Sequence, residues 1–373
     1  MGELGRLRQI PYADPKTGRT VYSINMQGRS VRHHGYSANE WTHDSKKIVV
    51  NVVYDRLKTA DLCDIVLFDT ENMTETVLRS NVAAGSGNLS HNDIYFYRGG
   101  IYNSSLTTET LCHQIYSVDL KTLEEKKIFD QPYAICIDRP ISVTNDGKML
   151  GIAVGADKRI ISTVDTLTEE VKNVFNQNLT YIFDEKMLHV QINPKNPEYI
   201  LFCRGGANCM SDWIWVLNTK TGDCRNIFKH QLTKDGRNGE DVGHEVWSHD
   251  GEWVWFVKYS HSQYFGGNRP AGIYRVSRNG DHYRCINSDY DYWHVGVSPD
   301  GRFIAADVRP VNDITKIVLI DTETGKSELL CEFYVVAHSV WGHPHPTFSP
   351  DGKKISFFYS SPDGMESVGY VHV

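Results

Sequence analysis

An all-β fold, a seven-bladed β-propeller closed by its own N-terminal strand, is predicted by three observations. A hairpin signature recurs about every fifty residues, a second strand–turn–strand segment follows each copy, and the last copy is one strand short. In chain order the copies are WTHDSKKIVVNVVY from Trp41, LSHNDIYFYRGG from Leu89, SVTNDGKMLGIAVG from Ser142 and INPKNPEYILFCRG from Ile192. The clearest three follow: HEVWSHDGEWVWFVKY from His244, HVGVSPDGRFIAADVR from His294 and HPTFSPDGKKISFFYS from His345. Asp-Gly between two runs of β-forming residues is a strong hairpin signal, because the turn needs a residue that accepts positive φ.

The outer half of each unit reads in the same grammar. IVLFDTENMTETVL, IYSVDLKTLEEKKIF, IISTVDTLTEEVKNVF, IWVLNTKTGDCRNIF and IVLIDTETGKSELL are each two strands around a polar turn. The seventh unit stops at its third strand, GYVHV, and the missing partner is expected in DPKTGRTVYSINM from Asp14. Pairing the two ends removes an open sheet edge that would invite aggregation. No helical periodicity and no Pro-, Gly- or Ser-rich linker interrupts the pattern, so residues 1–373 read as one propeller domain.

Composition narrows the partners. A formal net charge of −7 argues against a general nucleic-acid binder, while a local cationic cluster could still receive an acidic ligand. Eight cysteines without a CxxC read as free thiols of a reducing compartment. The start, MGELGRLRQIPYADPKTG, lacks the apolar run of a secretory signal, and no long apolar stretch suits a membrane span. A cytoplasmic protein, monomer or homodimer, is the expectation.

Function is carried by histidine. The residue six places before the turn's Asp marks the entrance of a blade's innermost strand, and that place holds His244, His294 and His345, with His189 matching in blade four. Innermost strands converge on the central channel. His343 lies two residues before His345, on the same side of an extended chain, so both can reach one ion. A lone histidine at such a place is more often a hydrogen-bonded structural residue; four at equivalent places plus an HxH point to a divalent metal. Imidazole suits Zn, Mn, Fe, Ni or Cu alike. A histidine left over could act as a base near neutral pH. Cationic candidates are Arg139, Arg204 and Arg225, with Lys258, His261 and Arg269 in the long insertion KYSHSQYFGGNRPAG. Taken singly, each suits the solvated surface at least as well. There is no GxSxG, no phosphate-binding loop, no dinucleotide fingerprint and no regular WD signature.

The ordered set formed by the Arg of DCRNI, the His of GHEVW, the His of HVGVS and then HPHP resembles the oligogalacturonate lyase family, cytoplasmic seven-bladed propeller polysaccharide lyases. The resemblance covers nearly the whole chain and is strongest from His189 to Tyr359. It implies β-elimination on short uronic-acid oligosaccharides, an anionic substrate, with a manganese-type ion (Mn2+). Carried over by motif, His294, His343 and His345 would be metal ligands, His244 the proton-abstracting base, and Arg225 a contact to the substrate carboxylate or the transition state. His34, His189, Arg204 and Lys258 are candidate substrate contacts. The family places a glutamine ligand three residues before the HPH; here Val340 stands there, which leaves that role to His338 or to water and marks a divergent branch. Two other readings stay open: a non-catalytic propeller that binds a sugar or protein, and a hydrolase or epimerase on the same scaffold.

Overall fold

Each hairpin of the repeat is closed by side chains that hydrogen-bond their own backbone. In blade six the Ser298 hydroxyl donates to Asp300 Oδ1 (2.6 Å) and accepts the Phe303 N–H (2.8 Å), while Asp300 accepts the Arg302 N–H (3.0 Å). Gly301 completes the turn at φ 71°, a left-handed conformation that glycine adopts without steric cost. The same hydroxyl–carboxylate pair recurs as Thr42–Asp44, Thr144–Asp146, Ser248–Asp250 and Ser349–Asp351. At the outer turns Asp69, Asp119, Asp165, Asn218 and Asp321 accept the N–H groups two and three residues ahead.

The structure, a computed structural model, describes residues 5–33, 35, 37–56, 61–83, 87–100, 112–130, 141–154, 160–176, 186–205, 213–236, 239–260, 268–335, 343–362 and 364–373. Its strands form seven antiparallel sheets, six of four strands and one of five. Blades one to six span 30–83, 88–130, 142–176, 186–226, 242–287 and 292–334, each running in order from the innermost strand outward. No α-helix occurs among the described residues.

Blade seven closes the ring as the sequence predicts. Thr347–Phe348, Lys354–Ser360 and Glu366–His372 are followed outward by Thr20–Asn25 from the other end of the chain, and Arg8–Ala13 adds a fifth strand at the rim. Tyr22 pairs with Tyr370 across this seam, their rings stacked at 4.8 Å. Asp14 Oδ2 accepts the Glu332 N–H (2.8 Å), and the Thr17 hydroxyl donates to the Leu330 carbonyl (2.8 Å), so the closing segment also grips blade six.

Between blades the sheet faces meet in dry clusters. Trp255, Tyr292 and Ile304 pack between blades five and six, and burial of each such side chain is worth about 1.5–3 kcal/mol. Trp41 is fully buried at the seam of blades one and seven, its indole N–H on Ser356 Oγ at 3.0 Å. Toward the axis the fit tightens until only glycine is tolerated: a Cβ on Gly296 of blade six would lie 2.1 Å from the Pro346 carbonyl oxygen of blade seven. Both neighbours are backbone and cannot step aside. Gly296→Ala should therefore cost about 2–4 kcal/mol and lower the melting midpoint by roughly 5 °C, read by thermal denaturation against wild type.

Candidate functional site

The innermost strands begin irregularly, and the irregularity aims the histidines. In blade five the pairing jumps from Gly243↔Val257 to Val246↔Trp255, so His244 and Glu245 together oppose one residue. Blade four repeats this at His189 and Val190, and blade six carries an extra residue between Tyr292 and His294. These are β-bulges, which bend a strand and re-aim a side chain. His189, His244 and His345 stand at φ 55°, 52° and 44°, left-handed conformations that cost a non-glycine residue about 1 kcal/mol or more.

Four rings gather as a result. The ring centroids of His294 and His345 are 3.8 Å apart, those of His244 and His294 4.1 Å, and those of His294 and His343 5.3 Å. One nitrogen from each of His294, His343 and His345 lies within 4.8 Å of the other two, a set that could hold a metal ion. The His343 ring packs on Trp293 at 4.0 Å.

His294 is prepared as a ligand by its neighbour. Its side chain is fully buried, and Nδ1 hydrogen-bonds Asp307 Oδ2 at 2.7 Å, while its backbone N–H donates to Asp307 Oδ1 at 2.6 Å. With Nδ1 committed, Nε2 points into the cluster, a buried nitrogen with no hydrogen-bond partner. A carboxylate behind an imidazole is the usual support of a metal-bound histidine, setting its tautomer and raising its basicity. Burial pushes the Asp307 carboxyl up to about 7, against the backbone N–H groups of His294 and His345, which favour its charged form. Burial and the neighbouring imidazoles hold His294 and His345 well below the usual histidine value, and burial lowers His343. All three are neutral at pH 7, the form that binds metal. Donor set, orphaned Nε2 and protonation state all fit a divalent ion.

His244 stands beside this trio with different partners. Its Nδ1 forms a short hydrogen bond to the Tyr259 hydroxyl, and Tyr259 is itself buried. Burial first, then His294 and His189, push its pKa well below the ordinary value, while the Trp293 carbonyl favours its charged form. The Arg309 guanidinium lies 5.0 Å from the Tyr259 ring centroid and 5.7 Å from that of Trp293, and its charge reaches His294 and His343.

His189 lies 6.5 Å from His244, centroid to centroid, and is turned by Glu245, whose Oε1 meets its Nδ1 at 2.9 Å. The other Glu245 oxygen accepts the Trp213 indole N–H at 3.3 Å. His189, Cys203 and Glu245 form a second group of metal-ligand type, but here both carboxylate oxygens are already used in orienting neighbours.

The remaining candidates are not all brought to the mouth. Arg225 sits on the outermost strand of blade four, half exposed and ion-paired with Asp223; strand order puts it at the rim, apart from the entrance histidines that it was expected to join. Arg204 lies at the mouthward end of blade four's second strand with its guanidinium over the Trp215 ring at 4.7 Å. Lys258 is buried, its ammonium pushed down by burial with Glu240 opposing, and Arg269 pairs with that same Glu240 at 2.9 Å. His34, His338, Val340, Arg139 and His261 lie outside the described residues. Sequence reasoning missed Asp307, Tyr259, Glu245, Trp293 and Arg309. Tyr259 and Arg309 were within reach, since each follows the entrance histidine of its blade by fifteen residues, as Arg204 follows His189.

No family model matches the chain. It is 22% identical to the oligogalacturonide lyase of Pectobacterium atrosepticum and 21% identical to the oligogalacturonate lyase of Dickeya dadantii, each over 96% of this chain and 94% of the relative. An oligogalacturonate lyase solved in complex with manganese superposes with a TM-score of 0.80 at 19% identity, over 99% of this chain and 96% of the other. The oligogalacturonate lyase of Vibrio parahaemolyticus gives 0.79 at 18%, over 99% and 97%. The seven-bladed fold and the resemblance read in the sequence are borne out.

Asp307→Asn, which keeps the shape and removes the charge behind His294, should weaken Mn2+ binding 10–100-fold in calorimetric titration while the apo-protein melts within a few degrees of wild type.

Proposed function

We propose that this protein is a metal-dependent carbon–oxygen lyase that cleaves short uronic-acid oligosaccharides by β-elimination, in a cytoplasmic setting. The observation that carries the reading is one cluster holding two kinds of imidazole. Three are placed to ligate an ion, and a fourth beside them is coupled to a phenol. Full-length similarity to two oligogalacturonate lyases supports the substrate class, and the manganese of the solved relative supports the ion.

The reaction removes the proton next to a uronate carboxylate, forms a carbon–carbon double bond and breaks the bond to the sugar oxygen one carbon further on, which leaves as a hydroxyl on taking a proton from water. That proton is weakly acidic because its loss adds charge to a group already anionic. A divalent ion held by His294, His343 and His345 would supply Lewis-acid charge beside the carboxylate. The base is His244. Its Nδ1 is tied to Tyr259, so proton transfer from carbon is assigned to Nε2. Its depressed pKa keeps it neutral at pH 7, and the Trp293 carbonyl stabilises the imidazolium once the proton has moved. Among the described residues Arg309, which also pairs with Asp291 at 3.7 Å, is a cation whose charge reaches the cluster, and its planar fork suits a carboxylate. Trp293, packed on His294 and His343, and Trp213, edge-on to His189, put aromatic rings at the border of the cluster, the kind of side chain that sugars pack against.

The test is absorbance of the unsaturated uronate, with oligogalacturonides and added Mn2+. Wild type should raise it, chelation should abolish the rise, and His244→Ala should lower kcat about 10²–10⁴-fold with Mn2+ still bound. Because His244 must be neutral and its pKa lies below 6.5, the acid limb of kcat/KM should fall below pH 6.5. A saturated product with water added would assign hydrolysis instead, and tight binding without turnover across several uronates would assign a binding propeller.

A further inference from the structure

Blade one reaches the ligand segment of blade seven through one histidine. The closing strand Thr20–Asn25 leads into the innermost strand of blade one, Ser30–Arg32, and His33 follows directly. Its side chain is buried, and Nε2 lies 3.1 Å from the carbonyl oxygen of Pro344, the residue between His343 and His345. A carbonyl only accepts, so Nε2 carries a proton and donates it. Nδ1 meets Glu40 Oε1 at 2.7 Å and the Gly35 N–H at 3.1 Å. Glu40 is buried as well, so an acidic side chain orients this ring as Asp307 orients His294.

The peptide that His33 holds is the one that sets His345. Its carbonyl, on Pro344, also accepts the Phe358 N–H at 2.9 Å, and its N–H, on His345, donates to Asp307. Blades one, seven and six thus each grip one peptide plane. The φ angle of His345 is the rotation between that plane and its own Cα, and it stands at 44°, a left-handed conformation that a non-glycine residue takes only under constraint. In blades four and five the constraint comes from a bulge within the ladder. Blade seven has no ladder there: the first pair of its innermost strand is Thr347↔Ser356, two residues past His345.

We infer that His33 is a positioning residue for the metal ligands: its Nε2–H, oriented by Glu40, fixes the Pro344–His345 peptide and so keeps the His345 ring turned toward the ion. This rests on the ion proposed for His294, His343 and His345. His33 is not itself a ligand, because both ring nitrogens are engaged and its ring stands edge-on to that of His345 at 6.0 Å. Nor is it only a clasp of the seam, which Arg32 already grips through the buried Glu366 of blade seven. The segment that closes the ring therefore also sets one ligand of the ion.

Mn2+ alone, titrated calorimetrically into the full chain, tests this without substrate or turnover. His33→Asn keeps an amide beside Glu40 but is too short to reach Pro344, and should bind Mn2+ about 10–100-fold more weakly than wild type. His33→Gln places an N–H where Nε2 lies and should bind close to wild type. Thr17→Val, which loosens the closing segment at the Leu330 carbonyl on the rim, is the control for lost stability. It should lower the melting midpoint and leave the Mn2+ affinity unchanged. If His33→Asn binds as wild type does, or if His33→Gln and Thr17→Val weaken binding as much as His33→Asn, the positioning role is overturned while the ion site stands. A wild type that takes up no Mn2+ overturns the ion site itself, and the role of His33 with it.

Discussion

A left-handed backbone step at the start of three innermost strands is what the candidate site depends on. In a regular strand alternate residues face opposite sides of the sheet, and in a propeller those sides are packed against neighbouring blades. An entrance histidine that kept the pleat would be driven between blades. At His189, His244 and His345 the chain instead takes φ of 44–55°, and the side chain leaves the sheet for the axis. Blades four and five lodge an extra residue beside the same step. Local strain of this kind persists where the surrounding structure overdetermines it. Here the rest of each strand is held by a complete ladder, a closed turn and a dry interface on both faces.

Convergence creates an electrostatic problem whose solution is chemical. Four imidazoles packed within a few ångströms cannot all be charged, and burial drives them further toward neutrality. A knot of neutral imidazoles over a buried carboxyl lacks a positive partner for Asp307, which burial pushes up to about 7. A divalent ion satisfies both sides at once: it takes the nitrogen lone pairs and restores the charge of the carboxylate behind them. The same surroundings keep His244 unprotonated, while the Trp293 carbonyl favours its charged form.

Much of this was legible in the sequence because a repeat converts spacing into position. The seven units, the strand borrowed from the N-terminus and the four entrance histidines follow from hairpin grammar alone. Arg225 shows where that logic stops. A motif places it near its neighbours in sequence, but the strand carrying it is fourth in its blade, and the fourth strand lies at the rim. Arg309, whose charge does reach the cluster, occupies the place where the second strand of blade six returns to the mouth, the place Tyr259 and Arg204 hold in their own blades. The bulges left no trace in composition, because the entrance place is filled by alanine, serine and proline (Ala38, Ser86 and Pro140) as well as by histidine. Asp307 and Glu245 read as ordinary strand polars until the fold sets them behind His294 and His189.

The two ends of the channel obey one rule with different contents. Every blade contributes one residue to the mouth and one to the far end, and the closed turns hold the latter as firmly as the ladders hold the former. Where the far residue is proline, as at Pro194, Pro299 and Pro350, it adds stiffness and no donor. At the mouth, charge on the protein is supplied from behind by Asp307 and Glu245 and from the side by Arg309, which suits an anionic sugar approaching a cation.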